Sequence, residues 1–334
     1  MKRFWTLLVA LLVAVTVSGV AQESVLIDFS ELMANWPADD PTDNERTLVD
    51  FGDLAGATFT EEERDLMKSS LAIENWDIEL SSSSRTMQRV VDSQVRQATV
   101  REGATQFENE GVMGIRLSFP TESFNAWALI HPPFEIPAFQ DVDELDGDGN
   151  LVVPDDEQGV GRKFDNYGVV KNVGTLRTVS MNVYGLNYPY RISLILQDEN
   201  HNTREVLMGN LEFDGWNELT WENPNYVQDV RNREVRQQPL YPRLSPMRKL
   251  VGIRIYRDGS QEGGDFVSYI KDINLTYDLA TLDVERDIDD EAVWGILQER
   301  EQARRQAELR RLGNVQILRF LEQRRMYPGP ENMQ

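Results

Sequence analysis

Apolar and polar residues alternate with a period of two across most of the chain from Asn75 to about Asp278. That spacing turns one face of a strand inward and leaves the other to water. Trp76, Ile78 and Leu80 alternate with Asp77 and Glu79 until the serines at 81–84 end the run. Met113, Ile115, Leu117 and Phe119 alternate up to Pro120, and residues 127–130 run into His131-Pro132-Pro133. Further segments rich in Val, Ile, Tyr and Thr lie at 178–184, 191–197, 204–208, 219–221, 250–256 and 266–277, bounded by Gly, Asn, Asp or Pro. Residues 198–202 and the stretch from Asp258-Gly259 to Gly263-Gly264-Asp265 read as hairpin tips. Short strands without intervening helices predict a mainly β fold. The architecture expected is an antiparallel two-sheet sandwich of jelly-roll type, about 200 residues long.

The two ends follow other patterns. Lys2 and Arg3 precede an apolar run at 4–17, and Ser18-Gly19-Val20-Ala21 offers small residues for cleavage after Ala21. The run is short for a membrane span, so residues 1–21 read as an export signal. Residues 22–74 hold a short strand at 25–29, a loop around Pro37 and Pro41, and a helix opened by Thr60 with Glu63 reaching back to it. Leu66, Met67, Leu71 and Ile73 would line one face of that helix. The sandwich then occupies 75–284, and 285–334 forms a charged helical tail. Glu291 to Arg325 is rich in Glu, Gln, Arg, Ala and Leu, with Gly313 expected to interrupt it.

Charge narrows the partners. The 334 residues carry 56 acidic and 34 basic groups, a formal −22. That balance disfavours nucleic acid, whose binders neutralise phosphates with Lys and Arg, and it disfavours an anionic membrane surface. The excess is localised: the tail from 291 onwards holds eight Arg against six acids, so the acidity resides in the body. Two placements of the tail follow, folded back on its own sandwich or reaching a neighbour. There is no cysteine, which removes disulfides, thiolate nucleophiles and Cys-ligated metals.

Candidate chemistry is sparse. His131 sits before two prolines and His201 between two asparagines, neither the setting of an oriented general base. No G-x-S-x-G, P-loop or H-E-x-x-H occurs. The sharpest local feature is the acidic loop 141–157, where Glu144, Asp146, Asp148, Asn150 and Asp155 approximate the oxygen spacing of a calcium loop, with Gly149 at the bend. Glu at the first position, the shorter Asp at the last and Pro154, which precludes a well-formed exiting helix, all depart from that pattern. Asp146, Asp148, Asn150 and Asp155 are the candidate metal ligands. Trp127, Tyr184, Tyr188, Tyr190, Trp216 and Trp221 are candidates for a sugar platform or for core packing.

Several segments together carry a resemblance. They are Asn75-Trp76-Asp77-Ile78-Glu79-Leu80, Tyr167-Gly168-Val169-Val170-Lys171-Asn172-Val173-Gly174 and Val183-Tyr184-Gly185-Leu186-Asn187-Tyr188-Pro189. Trp216-Asn217-Glu218-Leu219-Thr220-Trp221 and Tyr269-Ile270-Lys271-Asp272-Ile273 complete the set. Over roughly residues 22–280 the chain resembles the flagellar filament outer layer proteins, the FlaA-type sheath subunits of spirochaete periplasmic flagella. The resemblance implies a galactose-binding-like jelly roll without enzymatic activity, catalytic residues or cofactor. It also implies export to the periplasm and assembly around a core of flagellin-like subunits beside other copies of itself or related sheath subunits. The alternative reading is a periplasmic carbohydrate-binding β-sandwich module.

Overall fold

The computed structural model describes residues 21–34, 47–138, 167–235, 246–280 and 293–326. Two six-stranded antiparallel sheets face each other. The first has the order β12 (Asp214–Glu222), β9 (Val173–Leu186), β14 (Gly264–Leu279), β6 (Gly111–Phe119), β5 (Gln94–Thr99), with β1 (Ala21–Asp28) also paired to β14. The second has the order β11 (Thr203–Asn210), β10 (Arg191–Asp198), β13 (Met247–Arg257), β7 (Ala126–His131), β4 (Asp77–Leu80), with β8 (Val169–Lys171) also on β13. A separate pair joins β2 (Leu48–Asp50) to β3 (Lys68–Ser70). Helices α1 (Glu61–Asp65), α2 (Met87–Asp92) and α3 (Tyr226–Val235) are short, and α4 (Ile296–Met326) is long.

The alternation expected from the sequence sets the core. Val179, Met181 and Val183 of β9 and Phe266, Ile270, Ile273 and Leu275 of β14 point inward. They meet Ile192, Leu194 and Leu196 of β10 and Ile253 and Ile255 of β13, all buried. Each such side chain contributes about 1.5–3 kcal/mol of transfer free energy. Leu26, Ile27, Phe29 and Leu32 from the N-terminal segment belong to the same apolar cluster.

β14 is the longest strand, and no single neighbour covers its second edge. β9 pairs along most of one side, whereas the other is shared by β6, opposite Gly264 to Ile270, and β1, opposite Asp272 to Asp278. The register against β9 slips between Ile270 and Asp272, at the seam between those two strands. Lys271 fills that seam. Its side chain is 4% exposed, and its Nζ donates to Asp28 Oδ1 at 2.6 Å and lies 2.9 Å from Glu110 Oε2. Burial alone would lower the pKa of this ammonium. Asp28 and Glu110 outweigh the burial and raise it, so the cation stays charged.

Several local expectations change. Thr60 and Glu63 do form the reciprocal cap, at 3.2 and 3.0 Å, but α1 stops at Asp65. Met67 accepts from the Phe51 amide, and residues 68–70 are drawn into the β2–β3 pair. Leu66 is therefore 70% exposed, while Met67, Leu71 and Ile73 reach the core from extended chain and a 3-10 turn. β5, α2 and α3 lack a clear apolar rhythm and were not foreseen. The tip at 198–202 forms as expected, with the Asp198 carboxylate accepting from the Asn200 and Asn202 amides at 2.9 and 2.8 Å.

Replacing Lys271 with Met would leave Asp28 and Glu110 facing each other without their cation. We expect urea unfolding to show a loss of about 3 kcal/mol, the cost of stripping one partner from a buried ion cluster. A variant as stable as the parent would mean that the cation does not hold the seam.

Candidate interaction surface

The C-terminal half of α4 folds back onto the body, one of the two placements the sequence left open. Leu312 enters the main core at 3% exposure, and Ile317 and Phe320 pack against it. Gly313 does not break the helix. A Cβ there would lie 2.3 Å from Leu54 Cδ1 and 2.9 Å from Leu54 Cβ, so the glycine permits the close approach. The helix continues because packing on Leu54 offsets the propensity cost of one glycine.

Polar contacts fasten the same half. Glu135 Oε1 accepts from Arg311 at 2.7 Å and from Lys249 at 2.6 Å. Arg319 pairs with Asp77 and donates to the Pro133 carbonyl, which Gln316 also reaches at 3.2 Å. Arg324 pairs with Glu63 of α1. Burial pushes the Glu135 carboxyl up, but hydrogen bonds from Lys249 and Arg311 outweigh it and hold the group below its ordinary value. These contacts join residues more than a hundred positions apart, and no local pattern marks Glu135 or Pro133 as their hub.

Between α4 and the second sheet lies a cleft of about 510 Å³, lined among others by His131, His201, Lys249, Arg311, Val315 and Arg319. The structure thus brings both histidines to one cleft, which their sequence contexts did not indicate. His131 Nδ1 lies 3.0 Å from the Pro132 carbonyl oxygen. The cations of the cleft are engaged, Lys249 and Arg311 by Glu135 and Arg319 by Asp77. The candidate calcium ligands Asp146, Asp148, Asn150 and Asp155 lie outside the described residues. Among the described residues, no group of three or more His, Asp or Glu is placed to hold a metal ion.

The candidate aromatic residues separate into engaged surface rings and core. Trp216 meets Tyr184 edge-on at 5.3 Å and Phe107 at 4.9 Å, and Tyr184 meets Tyr269 at 6.1 Å. Arg254 lies 5.0 Å over Trp127 and Arg204 5.0 Å over Trp221. Tyr188 and Tyr190 do stack, at 5.7 Å, but Tyr190 is buried and its hydroxyl donates to the Glu262 carbonyl. A sugar platform needs flat, open ring faces; Trp127 and Trp221 are covered by guanidinium groups, Trp216 and Tyr184 meet neighbours edge-on, and Tyr188 stacks on buried Tyr190.

The Glu135 hub generates a pH dependence. Its folded pKa is depressed, so the stability it adds is complete above the ordinary carboxylate range and is lost as pH falls through the lowered value. Amide protection factors across 311–320 should hold steady from about pH 7 to pH 5 and drop below that range. Glu135→Gln should show the same loss at neutral pH, leaving buried Lys249 without its carboxylate. Protection that ignores both changes would place the fastening elsewhere.

Comparison with known proteins places the chain. The family described as "Flagellar filament outer layer protein Flaa" matches residues 40–286. The chain is 45% identical over 328 residues to the flagellar filament outer layer protein of Spirochaeta aurantia, covering 98% of this chain and 94% of the relative. It is 44% identical over 316 residues to the protein of the same name from Treponema pallidum, covering 93% and 90%. Among solved structures it is similar to TmCBM61 in complex with β-1,4-galactotriose, at 9% identity and a TM-score of 0.29, over 61% of this chain and 90% of that one. By the family match over residues 40–286 and the two relatives that cover 98% and 93% of its length, the chain belongs to the flagellar filament outer layer protein family.

Proposed function

We propose that this chain is a structural subunit of the outer layer of a periplasmic flagellar filament. It is exported, packs around a core of flagellin-like subunits beside copies of itself or related sheath subunits, and contributes to filament shape and stiffness. The observation that carries the reading is similarity to named outer layer proteins along 98% of the chain. The surface is consistent with that role. The two sheets close over one apolar core, Trp127 and Trp221 lie under guanidinium groups, and the cations of the cleft described above are paired within the molecule. No reaction is assigned to it, because neither histidine is arranged as an oriented base. The carbohydrate-binding alternative loses support from the same ring geometry.

Export rests on Lys2, Arg3, the apolar run at 4–17 and the small residues ending at Ala21. No helix among the described residues is long and apolar enough to cross a membrane.

Filaments purified from cells and gently washed should retain the chain, with a mature N-terminus at Gln22 by mass spectrometry. Absence from washed filaments would defeat the layer reading. An intact N-terminus would defeat cleavage after Ala21 without touching the layer.

A further inference from the structure

The outward side of α4 has no partner within the described body, yet its composition is that of a contact surface. At 3.6 residues per turn, Arg300 and Leu318 stand about five turns apart in line, with Arg325 about two turns further on the same stripe. Leu318 is 61% exposed and lies about 120° and 160° around the helix from Leu312 and Phe320, which face inward. Arg300, Arg310 and Arg325 are exposed and make no ion pair among the described residues. The helix thus offers an exposed Leu318 framed by arginines without an ion pair among the described residues.

A surface of opposite character lies on the first sheet. Along β12, Asp214, Trp216, Glu218, Thr220 and Glu222 share one face, since successive side chains alternate. The three carboxylates are exposed and make no ion pair among the described residues. Trp216 stands between two of them, in register with Tyr184, and Leu186 opposite Asp214 is 41% exposed. The acids extend over about 27 Å of strand, against about 22 Å of helix from Arg310 to Arg325.

We propose that the outward stripe of α4 in one copy docks on the β12 face of a second copy. Leu318 would meet Trp216 and Leu186, and Arg310 and Arg325 would meet Asp214, Glu218 and Glu222. Charge complementarity selects the occupant: the chain carries both halves of the contact, and neither half forms an ion pair among the described residues. The two halves are different patches on different elements, so the contact can repeat head to tail. A head-to-tail contact whose rotation does not close propagates into open arrays, as a layer on a filament requires. The inference rests on the outer-layer reading and adds the residues by which neighbouring copies meet.

Charge reversal tests it on the purified mature chain by sedimentation at low salt, with thermal melts to confirm folding. One variant carries Arg310→Glu and Arg325→Glu, and a second carries Asp214→Lys, Glu218→Lys and Glu222→Lys. Each alone should associate about tenfold more weakly than the parent, or worse, because the remaining half then meets its own charge. An equimolar mixture should recover association, since the acidic helix of one variant meets the basic face of the other. A parent that stays monomeric, a variant that associates like the parent, or a mixture no better than its components would overturn the proposal. A photo-crosslinker at position 318 on intact filaments separates the two levels. Capture of the β12 face of another copy supports the contact, and capture of a core subunit refutes it while leaving the layer reading intact. A chain absent from filaments fails the layer reading itself.

Discussion

A sixteen-residue strand must be covered on both edges, and in this protein the coverage of β14 is completed only by bringing two unconnected strands to one side. The junction between β6 and β1 leaves a gap in the ladder where a charged side chain is buried. Lys271 answers it because two carboxylates, Asp28 at the end of β1 and Glu110 at the mouth of β6, converge on its ammonium. A buried cation with good hydrogen-bond geometry is tolerated, but its loss is expensive. This interaction ties the N-terminal strand into the first sheet. Through Leu26, Ile27 and Phe29 it also brings that segment into the core against which α4 later packs.

A second buried lysine does comparable work at the other sheet. Lys249, 1% exposed along its side chain, fixes Glu135, and Glu135 in turn receives Arg311 from α4. Leu312 and Gly313 provide the apolar contact beside it. The tail is therefore part of the folded body on one side and available on the other. That division gives the arginine-rich end of an acidic chain a physical meaning: Arg311, Arg319 and Arg324 are consumed in fastening the helix, and Arg300, Arg310 and Arg325 are exposed.

The sandwich was legible because most of its strands alternate. Met113, Ile115 and Leu117, and Ile273, Leu275 and Tyr277, announce their faces locally, whereas the change of phase at Lys271 shows only in the pairing. The Thr60–Glu63 cap was legible for the same reason, since its whole mechanism lies within four residues. Where the helix ended was not, because the pull on Met67 and residues 68–70 comes from β2, which is distant in sequence. Gly313 illustrates the general difficulty. Its local propensity argues for a break, and only the position of Leu54 reveals that the missing side chain makes a contact possible. The candidate surface was the least legible part. Glu135, Pro133 and the β12 carboxylates are ordinary residues until the fold sets them beside α4 or on an open sheet face. The histidines, scarce and conspicuous in the sequence, line one cleft, His131 with its Nδ1 3.0 Å from the Pro132 carbonyl oxygen.

Electron cryo-microscopy of native flagellar filaments is the direct test of a sandwich layer on the filament. Repeated outer density around the core should accept this two-sheet sandwich, with the C-terminal half of α4 seated on the body at the Asp77, Pro133 and Glu135 contacts. Filaments from cells expressing the protein whose outer density accommodates no such sandwich would contradict that layer.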